Sequence, residues 1–253
     1  MTSAWILYLA AAIFAELVIL VSPVATALVD AAIIVIALTH FGWAQRSPLA
    51  IGEPGVRLLP AVALIPLIRL LSLTLPIPDL PPLAWLGLIA GPLLLAIATT
   101  ARLTRLGVRQ MAIAPISVRW TSLAVVILSM PIGVLVGWIS PATIPIASDS
   151  PWMAGVAAAT LVGAAAIPEE LVFRGLLQPL LHNVVGEVAP FLAAVAFAAT
   201  YIGWQSPALV AVMAGVGLLY GFELARSGSL WPAILGHSVL VLAAGFLSPI
   251  VLS

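Results

Sequence analysis

The sequence predicts an all-α fold, a polytopic transmembrane helical bundle, and three observations carry that prediction. Of 253 residues, 63% are hydrophobic and only 7% are charged, against about 25% charged in soluble domains, so lipid must cover much of the surface. The apolar residues gather in runs long enough for the roughly 20-residue helix that crosses a hydrocarbon core. These runs are apolar on every face, without the alternation that a membrane β-barrel requires.

Proline, glycine and charged residues cut the chain into about nine candidate spans. The first two, 4–21 and 24–41, are separated only by Ser22-Pro23, so a merged or re-entrant hairpin would reduce the count to eight. The third, 58–75, follows Arg57 and stops at the breaker-rich Pro76-Ile77-Pro78-Asp79-Leu80-Pro81-Pro82. The fourth, 82–100, ends before Arg102, and the fifth, 120–140, runs from Trp120 to the Ser140-Pro141 step. The sixth, 152–180, holds an acidic pair; 188–204, 207–223 and 230–251 complete the set, bounded by Gln205-Ser206 and by the Arg226–Ser229 turn.

The arginines orient the bundle. With the N-terminus cytoplasmic, Arg46, Arg57, Arg102, Arg105, Arg109, Arg119 and Arg226 all fall inside, while the outside loops carry Asp79 and Asp149 but no arginine. That asymmetry follows the positive-inside rule and agrees with an odd span count. The expected location is an integral position in the plasma (cytoplasmic) membrane, with lipid as the first partner.

Composition excludes several function classes. The chain has no cysteine, which removes disulfides, thiol nucleophiles and Cys-ligated metals. Net charge is zero and no basic tract is present, so nucleic acid is not an expected partner. The first apolar run lacks a positive n-region and a clear small-residue cleavage site, which reads as a retained span. No internal repeat is evident. Residues 1–119 read as N-terminal transmembrane helices, and 120–253 as the block that holds the chemistry.

Each ionisable residue in a span costs at least about 2.5–3.5 kcal/mol at mid-bilayer and needs a partner or a task. Glu16, Asp30 and Arg69 read as an interhelical ion pair or as snorkelling groups, and His40 as an interfacial residue. Gln205 and Glu223 lie near helix ends and read as boundary residues. His182 lies on the run of the acidic pair but about 20 Å along it at a 1.5 Å rise per residue, too far to join it.

Pro168-Glu169-Glu170-Leu171-Val172-Phe173-Arg174-Gly175 is different. Glu170 and Arg174 stand four apart, acid first, in the favourable ion-pair order, so Arg174 can orient Glu170. Glu169 faces about 100° away and has no partner on its own helix. Pro168 deprives a carbonyl one turn earlier of its donor, giving water or substrate a polar foothold. A carboxylate sequestered from bulk water is a candidate general base; a buried ion-pair network that locks helices together is the other reading. Tyr201, four residues after Phe197, and His237, after Gly236, are the remaining polar positions within spans. The glycine would let another helix or a substrate backbone approach His237.

These residues resemble the CPBP family of intramembrane proteases, which includes the CAAX prenyl endopeptidases and bacterial proteins linked to bacteriocin self-immunity. The resemblance covers about residues 120–250. Glu169-Glu170-Leu171-Val172-Phe173-Arg174-Gly175-Leu176-Leu177 matches the family's EExxxR helix, and Gly221 through His237 resembles the approach to its last motif. The resemblance implies that Glu169 activates water, that Glu170 and Arg174 support it, and that His237 steadies the oxyanion. Two positions depart. Tyr201 stands in the FxxxH slot that begins at Phe197, and Val241 stands where an Asn or Asp follows the last histidine.

A tyrosine, with an ordinary pKa near 10, donates a hydrogen bond but is no base at neutral pH. Valine donates nothing, and loss of one oxyanion donor typically costs about 10²–10³ in rate. Tyr201 could supply that donor instead. A catalytic zinc usually has three protein ligands, mostly imidazole; with one well-placed histidine, zinc or another divalent metal is disfavoured and no cofactor is expected. The resulting expectation is an intramembrane endopeptidase that cleaves a membrane-embedded or prenylated peptide by glutamate-activated water. The alternatives are an inactive member acting as a peptide-binding, immunity or scaffolding protein, or an ion- or proton-coupled transporter component.

Overall fold

The computed structural model describes residues 4–48, 50, 52–74, 82–113, 119–140 and 150–251. Asp79 and Asp149, which entered the orientation argument, lie outside them. Among the described residues there is no strand. Helices α1 (Ala4–Val18), α2 (Pro23–Ala44), α3 (Pro54–Val62), α4 (Leu64–Thr74), α5 (Pro82–Leu103) and α6 (Trp120–Ile139) make the N-terminal part. A nearly continuous helical stretch follows, Pro151–Trp204. It contains α7 (Pro151–Leu161), α8 (Ile167–Glu170), α9 (Gln178–Val185) and α10 (Ala189–Ala199); α11 (Pro207–Ser227), α12 (Trp231–Leu242) and the short α13 (Ser248–Val251) close the chain.

Seven helical stretches among the described residues are long and apolar enough to cross a membrane. Two features separate that count from nine. Helix α1 has 15 residues, short of the roughly 20 that a perpendicular crossing takes. The runs 152–180 and 188–204 belong to one stretch, which turns back at Gly186 (φ 62°), so that the rings of Phe173 and Phe197 pack edge to face at 5.2 Å. A positive φ suits glycine because no Cβ meets the following carbonyl.

The outer surface is what lipid requires. Leu7, Phe14, Leu28, Val35, Leu95 and Ile127 face outward, and Trp43, Trp120, Trp138, Trp152 and Trp204 are exposed at helix ends, where amphipathic indoles sit at the headgroup level. Polar residues are inside instead: Glu16, Asp30, Ser122, Ser129, Glu170, Arg174, Gln178, Glu223 and His237 are all buried. Glu223, read from sequence as a boundary residue, accepts the Ser122 hydroxyl at 2.6 Å and ties α11 to α6.

With lipid as apolar as leucine, helices associate through close packing of small residues. Ser129, Gly133 and Gly137 recur every four residues along α6. A Cβ on Gly133 would stand 2.3 Å from the Leu240 carbonyl oxygen, and one on Gly137 would stand 2.4 Å from Ser248 Cβ. Helix α12, the carrier of His237, is thereby seated backbone to backbone against α6. On α11, Gly217 and Gly221 make the same close approach to Ala194 and Pro190 of α10.

Three turns in the C-terminal part widen to the π pattern: Val162–Ala166, Leu171–Leu177 and Ala243–Leu247. Each closes on the residue just before a proline. Ile167, Gln178 and Ser248 donate to the carbonyls of Val162, Phe173 and Ala243, five residues back, ahead of Pro168, Pro179 and Pro249. A proline ring collides with the carbonyl four residues earlier, and a widened turn moves that carbonyl aside. Pro168 therefore loosens the helix before the Ile167–Glu170 segment, and Pro179 widens the turn that follows it.

Candidate active site

The two widened turns flank Glu169 and Glu170 and set their directions. Glu170 is fully buried, and Arg174 Nη1 donates to its Oε1 at 3.1 Å. Arg174 is itself fully buried. Its Nη2 donates to the Gly217 carbonyl at 3.2 Å, and its guanidinium lies 4.3 Å from the centroid of the Phe197 ring, a cation–π contact. One turn on, Gln178 Nε2 donates to the Gly221 carbonyl at 2.8 Å. Two side chains a turn apart thus reach two carbonyls a turn apart, and at Gly221 the missing Cβ leaves room for Gln178, whose Oε1 would lie 3.2 Å from a Cβ there. Gln178 was not singled out in the sequence; its spacing of four from Arg174, matched by Gly217 and Gly221, was the available signal.

His237 connects both glutamates. Its Nδ1 lies 2.8 Å from Glu170 Oε1, and its Nε2 faces Glu169 Oε2 at 3.9 Å. With Glu170 paired to Arg174, its oxygen is the acceptor and His237 Nδ1 carries the proton. The other ring nitrogen, Nε2, is the one turned toward Glu169. The ring is held by Phe197, edge to face at 5.9 Å, and lies beside Tyr220 at 6.1 Å. Tyr220 is fixed in turn by Ser129. The Ser129 hydroxyl donates to the Val125 carbonyl at 2.8 Å, so it receives the Tyr220 hydroxyl, also at 2.8 Å. Gly236 admits this packing: a Cβ there would lie 2.9 Å from Ser129 Oγ and 3.1 Å from the Tyr220 ring. The close partner at Gly236 is therefore a pair of helices, α6 and α11.

Tyr201, at the end of α10, donates its hydroxyl to Glu169 Oε2 at 2.9 Å. Glu169, Glu170, Arg174, Tyr201 and His237 thus form one contiguous group. Within it Glu169, with 23% of its side chain exposed, and Tyr201 are the partly exposed members, against 1% or less for Glu170, Arg174 and His237. Val241 is half-buried against Ala157 and Leu161 and presents only methyl groups. His182 lies apart, lining a cavity of about 850 Å³ with Arg57, Asn183 and Glu187; Arg174 and Gln178 reach the wall of that cavity, but Glu169, Tyr201 and His237 do not.

The described residues leave few free donors for a metal. His237 Nδ1 is committed to Glu170, and Glu170 Oε1 is shared with Arg174, so only Glu169 and His237 Nε2 face a common point. Among the described residues no group of three His, Asp or Glu side chains could hold an ion.

Away from this group, Tyr8 and His40 are bonded to each other at 3.0 Å, which zips α1 to α2. Glu16 pairs with Arg69 at 2.8 Å, and Asp30 is buried close enough to feel both charges. The three charges that showed no common spacing in the sequence therefore share one location.

Residues 150–243 match the family model described as Type II CAAX prenyl endopeptidase Rce1-like. That interval contains Glu169, Glu170, Arg174, Tyr201 and His237. It is shorter than the 120–250 over which the motif resemblance was read. No curated protein and no solved structure matches the chain.

Proposed function

We propose that this CAAX protease-like membrane protein is an intramembrane endopeptidase, with Glu169 as general base on a water held jointly with His237. The observation that carries the reading is the 3.9 Å gap between Glu169 Oε2 and His237 Nε2. A water about 2.8 Å from each would subtend an angle of about 90°, near its own bond angle. Both atoms accept, so the water's two protons point to them and an oxygen lone pair is free to attack.

In the reaction the water oxygen adds to the scissile carbonyl carbon as its proton passes to Glu169. The carbonyl π electrons move to oxygen. Once Glu169 has taken the water's proton it holds the Tyr201 hydroxyl less firmly, and that hydroxyl turns its one proton to the oxyanion, a donor that Val241 cannot supply. The C–N bond then breaks, and the proton on Glu169 passes to the departing amine. The Glu170–His237 contact fixes the ring as an acceptor toward the water, so the arrangement needs no second histidine. The family resemblance supports a substrate that enters from lipid, either a membrane-embedded or a lipid-modified peptide, and the arginine distribution supports a cytoplasmic N-terminus.

The test is proteolysis by the purified protein in lipid nanodiscs on a panel of membrane-embedded and prenylated peptides. Cleavage that is lost in Glu169→Gln and in His237→Ala supports the reading. A native protein that binds the peptides and cuts none of them overturns it. The direct Tyr201–Glu169 bond favours that second outcome, a peptide-binding, immunity or scaffolding role, because it occupies one lone pair of the proposed base.

A further inference from the structure

Tyr201 lies two residues beyond the end of α10, and that helix end is held from outside the C-terminal part. Arg69, on α4, donates through Nη2 to the Thr200 carbonyl at 2.5 Å. Its Nε donates to Glu16 Oε2 on α1 at 2.8 Å. The guanidinium also lies flat against Gly203: a Cβ built there would stand 2.8 Å from Nη1 and 3.0 Å from Cζ. Glu16 is 1% exposed and the Arg69 side chain 12% exposed, so water does not compete strongly for either.

Three features make this arrangement more than a helix–helix tie. The carbonyls at a helix C-terminus carry the negative end of its dipole, and a cation there stabilises the turn. Thr200 directly precedes Tyr201, so the peptide plane that Arg69 grips is the one that leads into the tyrosine. Tyr201 has left the regular helix (φ −92°, ψ −2°), and the helix ladder alone does not set its direction. Its hydroxyl nevertheless meets Glu169 Oε2 at 2.9 Å.

We propose that Arg69, held by Glu16, is a positioning residue for Tyr201. The buried ion pair of the N-terminal helices fixes the end of α10 so that the tyrosine hydroxyl reaches Glu169. The N-terminal helices, which lie outside the stretch matched by the family model, thereby contribute to the geometry of the site. The consequence for cleavage rests on the function proposed above, but the positioning itself does not.

The experiment uses the full chain carrying 3-fluorotyrosine, reconstituted in nanodiscs and read by fluorine NMR, with the Tyr201 resonance assigned through Tyr201→Phe. Glu169→Gln gives the shift of a perturbed tyrosine–glutamate bond. Arg69→Met and Gly203→Ala should each move the Tyr201 resonance away from its native position and leave that of Tyr220 in place. Gly203→Ala leaves every charge present. Its methyl meets the far end of a flexible side chain and displaces the guanidinium from Thr200, so this variant decides the matter if Arg69→Met does not fold. A native Tyr201 resonance in Gly203→Ala overturns the proposal. Where the native protein cleaves peptide, both variants should also lower kcat by up to about 10²-fold with KM little changed. A native protein that does not cleave removes the hydrolytic reading while the resonance still tests the positioning.

Discussion

Tyr201 donates its hydroxyl to Glu169 Oε2 at 2.9 Å, so the tyrosine in the FxxxH slot contacts the carboxylate that the neighbouring histidine also faces. Imidazole in that slot would add a second acceptor for water; the phenol adds a donor. A donor at this position orients the glutamate at rest, and its one proton can turn to a developing oxyanion only after Glu169 is protonated, which are different tasks from the one a histidine performs.

Tyr201→Phe separates these tasks from mere packing. The ring stays against Phe197, with which it packs edge to face at 5.4 Å, and only the hydroxyl is lost. Removal of one oxyanion donor typically costs about 10²–10³ in rate, so kcat for peptide cleavage should fall by that order while the unfolding midpoint changes little. Tyr201→His together with Val241→Asn restores the family residues in both departing slots and should cleave at least as fast as the native chain. Steady-state cleavage of a fluorogenic membrane peptide measures both.

Glu169→Gln and Glu170→Gln should differ in kind. The first changes a partly exposed side chain whose partners are Tyr201 and a histidine 3.9 Å away; cleavage disappears and the fold persists. The second weakens the buried acceptor shared by Arg174 and His237 and leaves the guanidinium with no carboxylate. Breaking a buried pair on one side costs about 3–5 kcal/mol, so Glu170→Gln should lower the thermal unfolding midpoint in detergent as well as the rate. Equal stability losses in the two variants would contradict the division of labour drawn here.

The fold class was legible because a membrane helix must be apolar throughout and must stop at breakers. The helices start and end close to Ser22-Pro23, Arg57, Arg102 and Gln205, where the sequence changes character. The Glu170–Arg174 pair was legible because spacing of four on one helix is a local property. The position of Arg69 was not. Its partners, Glu16 and the Thr200 carbonyl, are far away in sequence, and no periodicity links residues on α1, α4 and α10. The π turns were only half legible: Pro168, Pro179 and Pro249 mark where a helix must give way, but whether it breaks, kinks or widens depends on the neighbours packed around it.

The seat of α12 on α6 yields the last prediction. The Leu240 carbonyl oxygen would lie 2.3 Å from a Cβ at Gly133, and a backbone oxygen cannot rotate away as a side chain can. Gly133→Ala must push α12 off α6, and overpacking of this kind costs about 1–3 kcal/mol. Since α12 carries His237, the displacement also stretches the 2.8 Å contact of His237 with Glu170, and cleavage should fall together with stability. Gly215→Ala, on α11, is the matched control. Nothing lies within 4 Å of its added Cβ, and alanine is favoured over glycine in a helix by about 1 kcal/mol, so that variant should be at least as stable as the native chain and equally active. Paired thermal unfolding and cleavage measurements on the two variants, in the same detergent, decide whether the small-residue seam of α6 holds the histidine in place.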